Sequence, residues 1–235
     1  MKKNSINRVI GFVIVGLVLL AAVIETGRSV YTWSQQAAKQ PRYTIVIDPG
    51  HGGNDPGKIG INDVPEKDVN LAISLELKEI LEQNDCRVVM TRQKDEALYQ
   101  AGDTNKKVAD LRARCQMIND SGADAVISIH QNSFTAESSR GAQVFYRASS
   151  QEGKKLADIL QTQLVSGLDP DNRRVAKANS DYFMLKNTTA TMVIVECGFL
   201  SNSKEAELLT QASYQRRVAW AVALGVLQYV SGGLS

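Results

Sequence analysis

Histidine is nearly absent from this chain: there are two in 235 residues, His51 and His130. Cysteine is scarce too. Cys86, Cys115 and Cys197 are an odd number with no Cys-x-x-Cys pair, which excludes a disulfide framework and a four-cysteine zinc site. Each lies in an apolar stretch, so buried thiols are expected, with a Cys86–Cys115 bridge as the lesser option. Charge of one sign does not dominate. The formal net charge of +2 gives no reason to expect a nucleic-acid partner. Internal repeats and low-complexity tracts are missing. So are phosphate-binding signatures: Gly50-x-Gly52-Gly53 is not G-x-G-x-x-G, and no G-K-[ST] occurs, so nucleotide binding is not expected.

What is present begins with an apolar N-terminus. Lys2, Lys3 and Arg8 (residues 1–8 being the basic flank) precede an uncharged run from Val9 to Ile24. A membrane span needs about 20 apolar residues, with about 17 as the lower limit. The run is slightly short, but Ile6 and a snorkelling Arg8 extend it. The basic flank favours the N-terminus inside and the rest outside. Residues 9–24 are therefore read as an uncleaved signal-anchor in the cell membrane. The alternative is a cleaved signal peptide, with secretion to the cell wall. Residues 25–42 are polar and mixed, and read as a tether. Residues 43–231 remain for one domain with a real core.

Within that domain, strands and helices alternate. Strands are expected at 44–48, 86–91, 125–129, 142–146, 182–185 and 192–195. Helices are expected at 63–84, 108–120, 151–168, near 204–209 and at 214–230. Near-continuous apolar strands alternating with helices predict an α/β fold: a mostly parallel twisted sheet of about six strands, covered by helices on both faces. Ligands in such sheets bind beyond the carboxyl ends of the strands.

The rare histidines choose those ends. His51 follows the first strand in "DPGHGG", and His130 directly follows the third in "SIHQN". Glu196 directly follows "MVIV", where a carboxylate is costly unless paired or bound. Two histidines and a carboxylate are a common zinc set in hydrolases, with the fourth position left for water. Imidazole with carboxylate suits zinc better than calcium or magnesium. Two carboxylates compete for the ligand role, Glu66 and Glu196. Glu66 also fits a capping arrangement, with Asp63 as N-cap, Pro65 in the first turn and Glu66 at the third position. Asn132, two residues beyond His130, and Arg92, after "VVMT", are candidate substrate contacts. A plain loop residue and a structural arginine are their simpler readings.

Seven blocks then occur in order: "DPGHGGNDPG", "EKDVNLAISLEL", "VVMTR", "DLRARCQMIN", "ADAVISIHQNS", "RGAQVFYR" and "VECGFLSN". Over about residues 43–230 the chain resembles the zinc-dependent N-acetylmuramoyl-L-alanine amidases of bacterial cell walls, the type-3 amidase family. The resemblance implies zinc held by His51, Glu66 and His130, with Glu196 as the catalytic residue. It implies peptidoglycan as substrate and cleavage between the lactyl group of N-acetylmuramic acid and L-alanine, in an open, shallow groove. An activating protein partner is left open. The chain departs from many relatives in "NTTATMVIVE", which lacks a proline, and in Cys197. The short link between Tyr146 and residue 151 leaves no room for the occluding helix of some division-associated relatives. One catalytic domain behind an anchor is similar to the sporulation and germination amidases of endospore formers. Two rival readings use the same residues: another zinc hydrolase of the wall (a carboxypeptidase or deacetylase), and a non-catalytic wall-binding scaffold.

Overall fold

The apolar N-terminus folds as one long helix, α1 (Lys2–Ala37), in a computed structural model that describes residues 2–37 and 41–232. Its window Ile14–Tyr31 has a mean hydropathy of 1.6 and is exposed throughout, so it is long and apolar enough to cross a membrane. The helix runs on through residues expected to be a tether. No proline interrupts it before Pro41, and the Thr26 hydroxyl bonds back to the Ala22 carbonyl in helical register. Residues 38–40 of that expected tether lie outside the described residues. The chain divides at Pro41, and Arg42 opens a second unit.

That second unit carries the sheet. Its strands are β1 (Tyr43–Pro49), β2 (Cys86–Met90), β3 (Ala125–Asn132), β4 (Gln143–Arg147), β5 (Lys177–Asn179) and β6 (Met192–Phe199). Their order is β2-β1-β3-β6-β4-β5. The pairs β1–β2, β1–β3 and β3–β6 are parallel, β4 runs antiparallel to β6, and β5 is parallel to β4. The helices are α2 (Glu66–Glu82), α3 (Lys106–Asp120), α4 (Gln151–Leu168), α5 (Phe183–Asn187), α6 (Ser203–Leu209) and α7 (Ala212–Val230).

Strand side chains alternate between the faces. Ile45, Ile47, Val193 and Val195 enter one core with α2, α4 and α7. Val46, Val126 and Ile194 enter the other with Cys115 and Ile118 of α3 and Met184 of α5. The mostly parallel sheet with helices on both faces is as expected. All three cysteines are free and buried, so the Cys86–Cys115 bridge is not made.

Three local expectations fail. Residues 182–185 form no strand; the chain turns into α5 there. Asn179 Oδ1 accepts from the backbone N–H of Asp181 and of Tyr182, which starts a turn that a short apolar run could not reveal. β6 continues through Glu196 to Phe199, so Glu196 lies inside the strand. Helix α2 begins at Glu66, three residues later than expected. Asp63 takes a left-handed φ of 61°, and Pro65 is the N-cap with no side-chain capping bond.

Candidate metal centre and active site

Parallel β1, β3 and β6 bring three functional segments to one sheet edge. His130 is in register with Glu196, and the pairing of β3 and β6 shifts between His130 and Asn132. Bulges of this kind re-aim side chains at site edges. His51 sits on the loop after β1 with φ 64°, a conformation uncommon outside glycine. Gly52 and Gly53 follow it with positive φ of 134° and 55°, which glycine adopts without strain. Gly50 supplies space: a Cβ there would collide with the His130 imidazole. Gly57 does the same for Glu66 and His51, whose side chains a Cβ would meet at 2.6 and 2.7 Å.

His51, Glu66 and His130 come together. Each offers one ligand atom within 4.8 Å of the others. His51 Nε2 is 3.2 Å from Glu66 Oε2, and His130 Nδ1 is 3.0 Å from Glu66 Oε1. The rings meet edge to face at 5.0 Å. Glu66 is buried and is aimed by the backbone N–H groups of Lys58 (2.9 Å) and Gln131 (3.0 Å). Its carboxylate therefore turns inward to the site, and the capping-box reading is corrected. Burial alone would raise the Glu66 pKa, but the two imidazoles hold it well below the usual carboxylate range. For His130, burial works to lower the pKa, yet Glu66 raises it above the ordinary value. Glu66 and His130 thus stabilise each other's charged forms.

Glu196 is buried beside this cluster. Its Oε1 faces the Tyr182 hydroxyl at 3.4 Å, while its Oε2 has no hydrogen-bond partner among the described residues. Burial pushes the Glu196 pKa up, with the charge of Glu66 adding to it and that of His130 opposing. An orphaned, buried carboxylate oxygen needs an explanation, and a reacting water or a metal-bound group supplies one.

A cleft of about 520 Å³ opens over these residues and is also lined by Lys58, Lys107, Asn132 and Tyr182. Asn132 is thus at the cleft, with its Oδ1 accepting from the Ser133 N–H. Arg92 is not. It is buried, and its guanidinium donates to the carbonyls of Pro49, Gly50, Lys67 and Lys94. The expected substrate contact is corrected to a brace under the His51 loop.

Sequence reasoning missed four residues of this constellation. Asp55 Oδ2 lies 3.0 Å from His51 Nδ1, the carboxylate–histidine arrangement that orients metal ligands. Its spacing of four from His51 was the available signal. Tyr182 was hidden by the wrong strand assignment. Asp48 and Arg114 form a buried pair at 2.9 Å below the loop, and Arg114 also donates to the carbonyls of Pro49 and His51.

Known proteins share this arrangement of sequence and fold. The family model described as N-acetylmuramoyl-L-alanine amidase matches residues 45–228. A germination-specific N-acetylmuramoyl-L-alanine amidase of Bacillus subtilis is 37% identical over 188 residues, spanning 79% of this chain and 78% of that protein. The amidase AmiA of Escherichia coli is 29% identical over 228 residues, spanning 79% of this chain and 75% of its own. The CwlD amidase of Clostridioides difficile, solved in complex with the GerS lipoprotein, matches with a TM-score of 0.79 at 39% identity, over 81% of this chain and 100% of that one. The His51–Glu66–His130 cluster and these similarities belong to the same stretch of chain, and on that ground the protein is a member of the N-acetylmuramoyl-L-alanine amidase family, hydrolases acting on peptidoglycan.

Proposed function

We propose that this chain is a zinc-dependent amidase of the extracytoplasmic face, held in the membrane by α1. We propose further that it acts on the spore cortex, a reading supported by the germination-specific amidase of Bacillus subtilis among its relatives. The observation that carries the reading is the orphaned Glu196 Oε2 beside the His51–Glu66–His130 cluster. Two imidazole nitrogens and a carboxylate oxygen fit zinc in ligand type and number. When bound there, zinc supplies a Lewis acid for the scissile carbonyl and makes water more acidic.

The protein's own groups do the rest. Asp55 accepts a hydrogen bond from the Nδ1–H of His51 and so leaves Nε2 free to ligate. Glu196 accepts the proton of the attacking water and passes it to the departing amine of L-alanine. The C–N bond breaks as a C–O bond forms, leaving a lactyl carboxylate. Tyr182 steadies the other oxygen of Glu196, and Asn132 orients the substrate from the cleft wall. A lipoprotein of the kind seen with the Clostridioides difficile amidase is a candidate activating partner.

The full chain in detergent, supplied with zinc, is expected to release peptides with a new N-terminal L-alanine from defined muropeptides, read by mass spectrometry. Chelation should abolish release and added zinc restore it. Loss of terminal D-alanine or of acetyl groups, with the lactyl–alanine amide intact, would sink the assignment. Asp55→Ala is expected to weaken zinc binding by about 10–100-fold in competition titrations. Unchanged affinity would remove Asp55 from its orienting role.

A further inference from the structure

The cleft does not end at the metal-binding residues. Past Asp55 and Lys107, which line both, a second hollow of about 260 Å³ continues beside the His51 loop, walled by Asn54, Ala97, Tyr99 and Lys106. We propose that this hollow receives the stem peptide, and that Lys106 and Lys107 hold the free carboxylate of its acidic second residue. The proposal rests on the amidase reading above.

The two sides of the scissile amide differ in charge chemistry. On one side is an uncharged sugar with its lactyl arm, and on the other a peptide that carries carboxylates. The peptide side therefore belongs where cations line the wall. Arg92 is unavailable, because it is buried and its guanidinium donates to four backbone carbonyls. Lys58 lines the cleft but not the hollow, whereas Lys106 and Lys107 both line the hollow.

The carboxylates of the hollow already have partners. Asp110 accepts from Arg114 Nε (2.7 Å) and from the Leu98 N–H (2.6 Å). Asp55 accepts from the Gly57 N–H and faces His51 Nδ1. Lys107 reaches Asp55 at 3.4 Å with its side chain 67% exposed, so two of its three ammonium donors remain for an incoming anion. Lys106 Nζ is held over the Tyr99 ring at 5.2 Å, and that ring is itself fixed by a 2.9 Å hydrogen bond from Asn54 Nδ2 to the Tyr99 hydroxyl. Reach agrees as well. The second residue of an extended stem lies ~7 Å from the cleaved carbonyl. Lys107 stands two polar contacts out from the His51 imidazole, through Asp55.

The test uses the zinc-supplied full chain in detergent and two synthetic muropeptides. They differ only at the second stem residue: one carries D-glutamate with a free α-carboxylate, the other the α-carboxamide. The wild type is expected to favour the carboxylate by about three- to tenfold in kcat/KM, expressed in KM. The ratio should approach one at high salt and in the Lys106→Met/Lys107→Met double variant, whatever the absolute rate. Lys106→Met alone, which leaves the Asp55 contact intact, should lose part of the ratio. Equal use of both substrates by the wild type, a ratio that survives the double variant, or one that vanishes instead in Lys58→Met would overturn the subsite. Cleavage of neither substrate would bring down the amidase reading itself, and the subsite with it.

Discussion

Replacing Glu196 with glutamine is expected to cut turnover by about 10²–10⁴-fold while zinc still binds. The substitution keeps the shape of the side chain and removes its capacity to take a proton. The three groups proposed to ligate zinc belong to other residues, so metal content should match that of the wild type. A fall of this size corresponds to about 3–5 kcal/mol of transition-state stabilisation. The loss should appear in kcat rather than KM, because a group proposed to take the proton of the reacting water acts in the transition state rather than in substrate binding. The direction of the pH dependence follows. The base works only when deprotonated, and burial holds its pKa above the ordinary carboxylate value, with a bound cation opposing that rise. Activity should therefore fall as pH drops through that raised value, and the acid limb should vanish from the residual rate of the variant. Near-wild-type turnover by Glu196→Gln would refute the assignment of the base, and loss of zinc would move Glu196 into the ligand set.

The strands were legible because buried parallel strands are apolar on both faces, and "TIVID", "AVISI" and "MVIV" can be little else. The histidines were legible because there are only two, both at strand ends. Glu66 was not, on residue physics alone. Asp63, Pro65 and Glu66 are also what a helix start looks like, and only the family resemblance distinguished a ligand from a cap. What decides its orientation is the Gln131 N–H, 65 residues away in sequence. The same holds for the braces. Arg92 reaches Pro49 and Arg114 reaches Asp48 across 43 and 66 residues, and no local pattern records such pairs. Residues 182–185 failed for the opposite reason. Their outcome was local, but it lay in the side chain of Asn179 rather than in the apolar run.

The buried brace carries the second large effect. Arg114→Met is expected to destabilise the fold by about 3–5 kcal/mol. For a unit of this size that lowers the melting temperature by about 6–20 °C. Asp48 and Arg114 are each 1% exposed. Asp48 also accepts from Thr91 and Ser128, each at 2.6 Å. Methionine fills much of the arginine's volume but leaves a buried carboxylate without its cation, and frees the carbonyls of Pro49 and His51. In the wild type, burial works to raise the Asp48 pKa, and Arg114 with the two hydroxyls outweighs it, so the value stays below the ordinary carboxylate one. That pair therefore stabilises the fold above the ordinary carboxylate value, and its contribution fades as pH falls through the lowered one. In the variant the sign reverses. Unpaired burial raises the Asp48 pKa, and acid relieves the strain by protonating it. The gap in melting temperature between the two proteins should thus be widest near neutral pH and narrow toward acid. Asp48→Asn combined with Arg114→Met should recover part of the loss, since both charges are then gone. A variant that melts with the wild type at neutral pH would show that the pair adds nothing. A gap that widens in acid would show that Asp48 is not the group left exposed to the penalty. Zinc affinity should fall with the brace even where the fold persists, because Arg114 is what ties the His51 carbonyl to the sheet edge on which His130 and Glu196 stand.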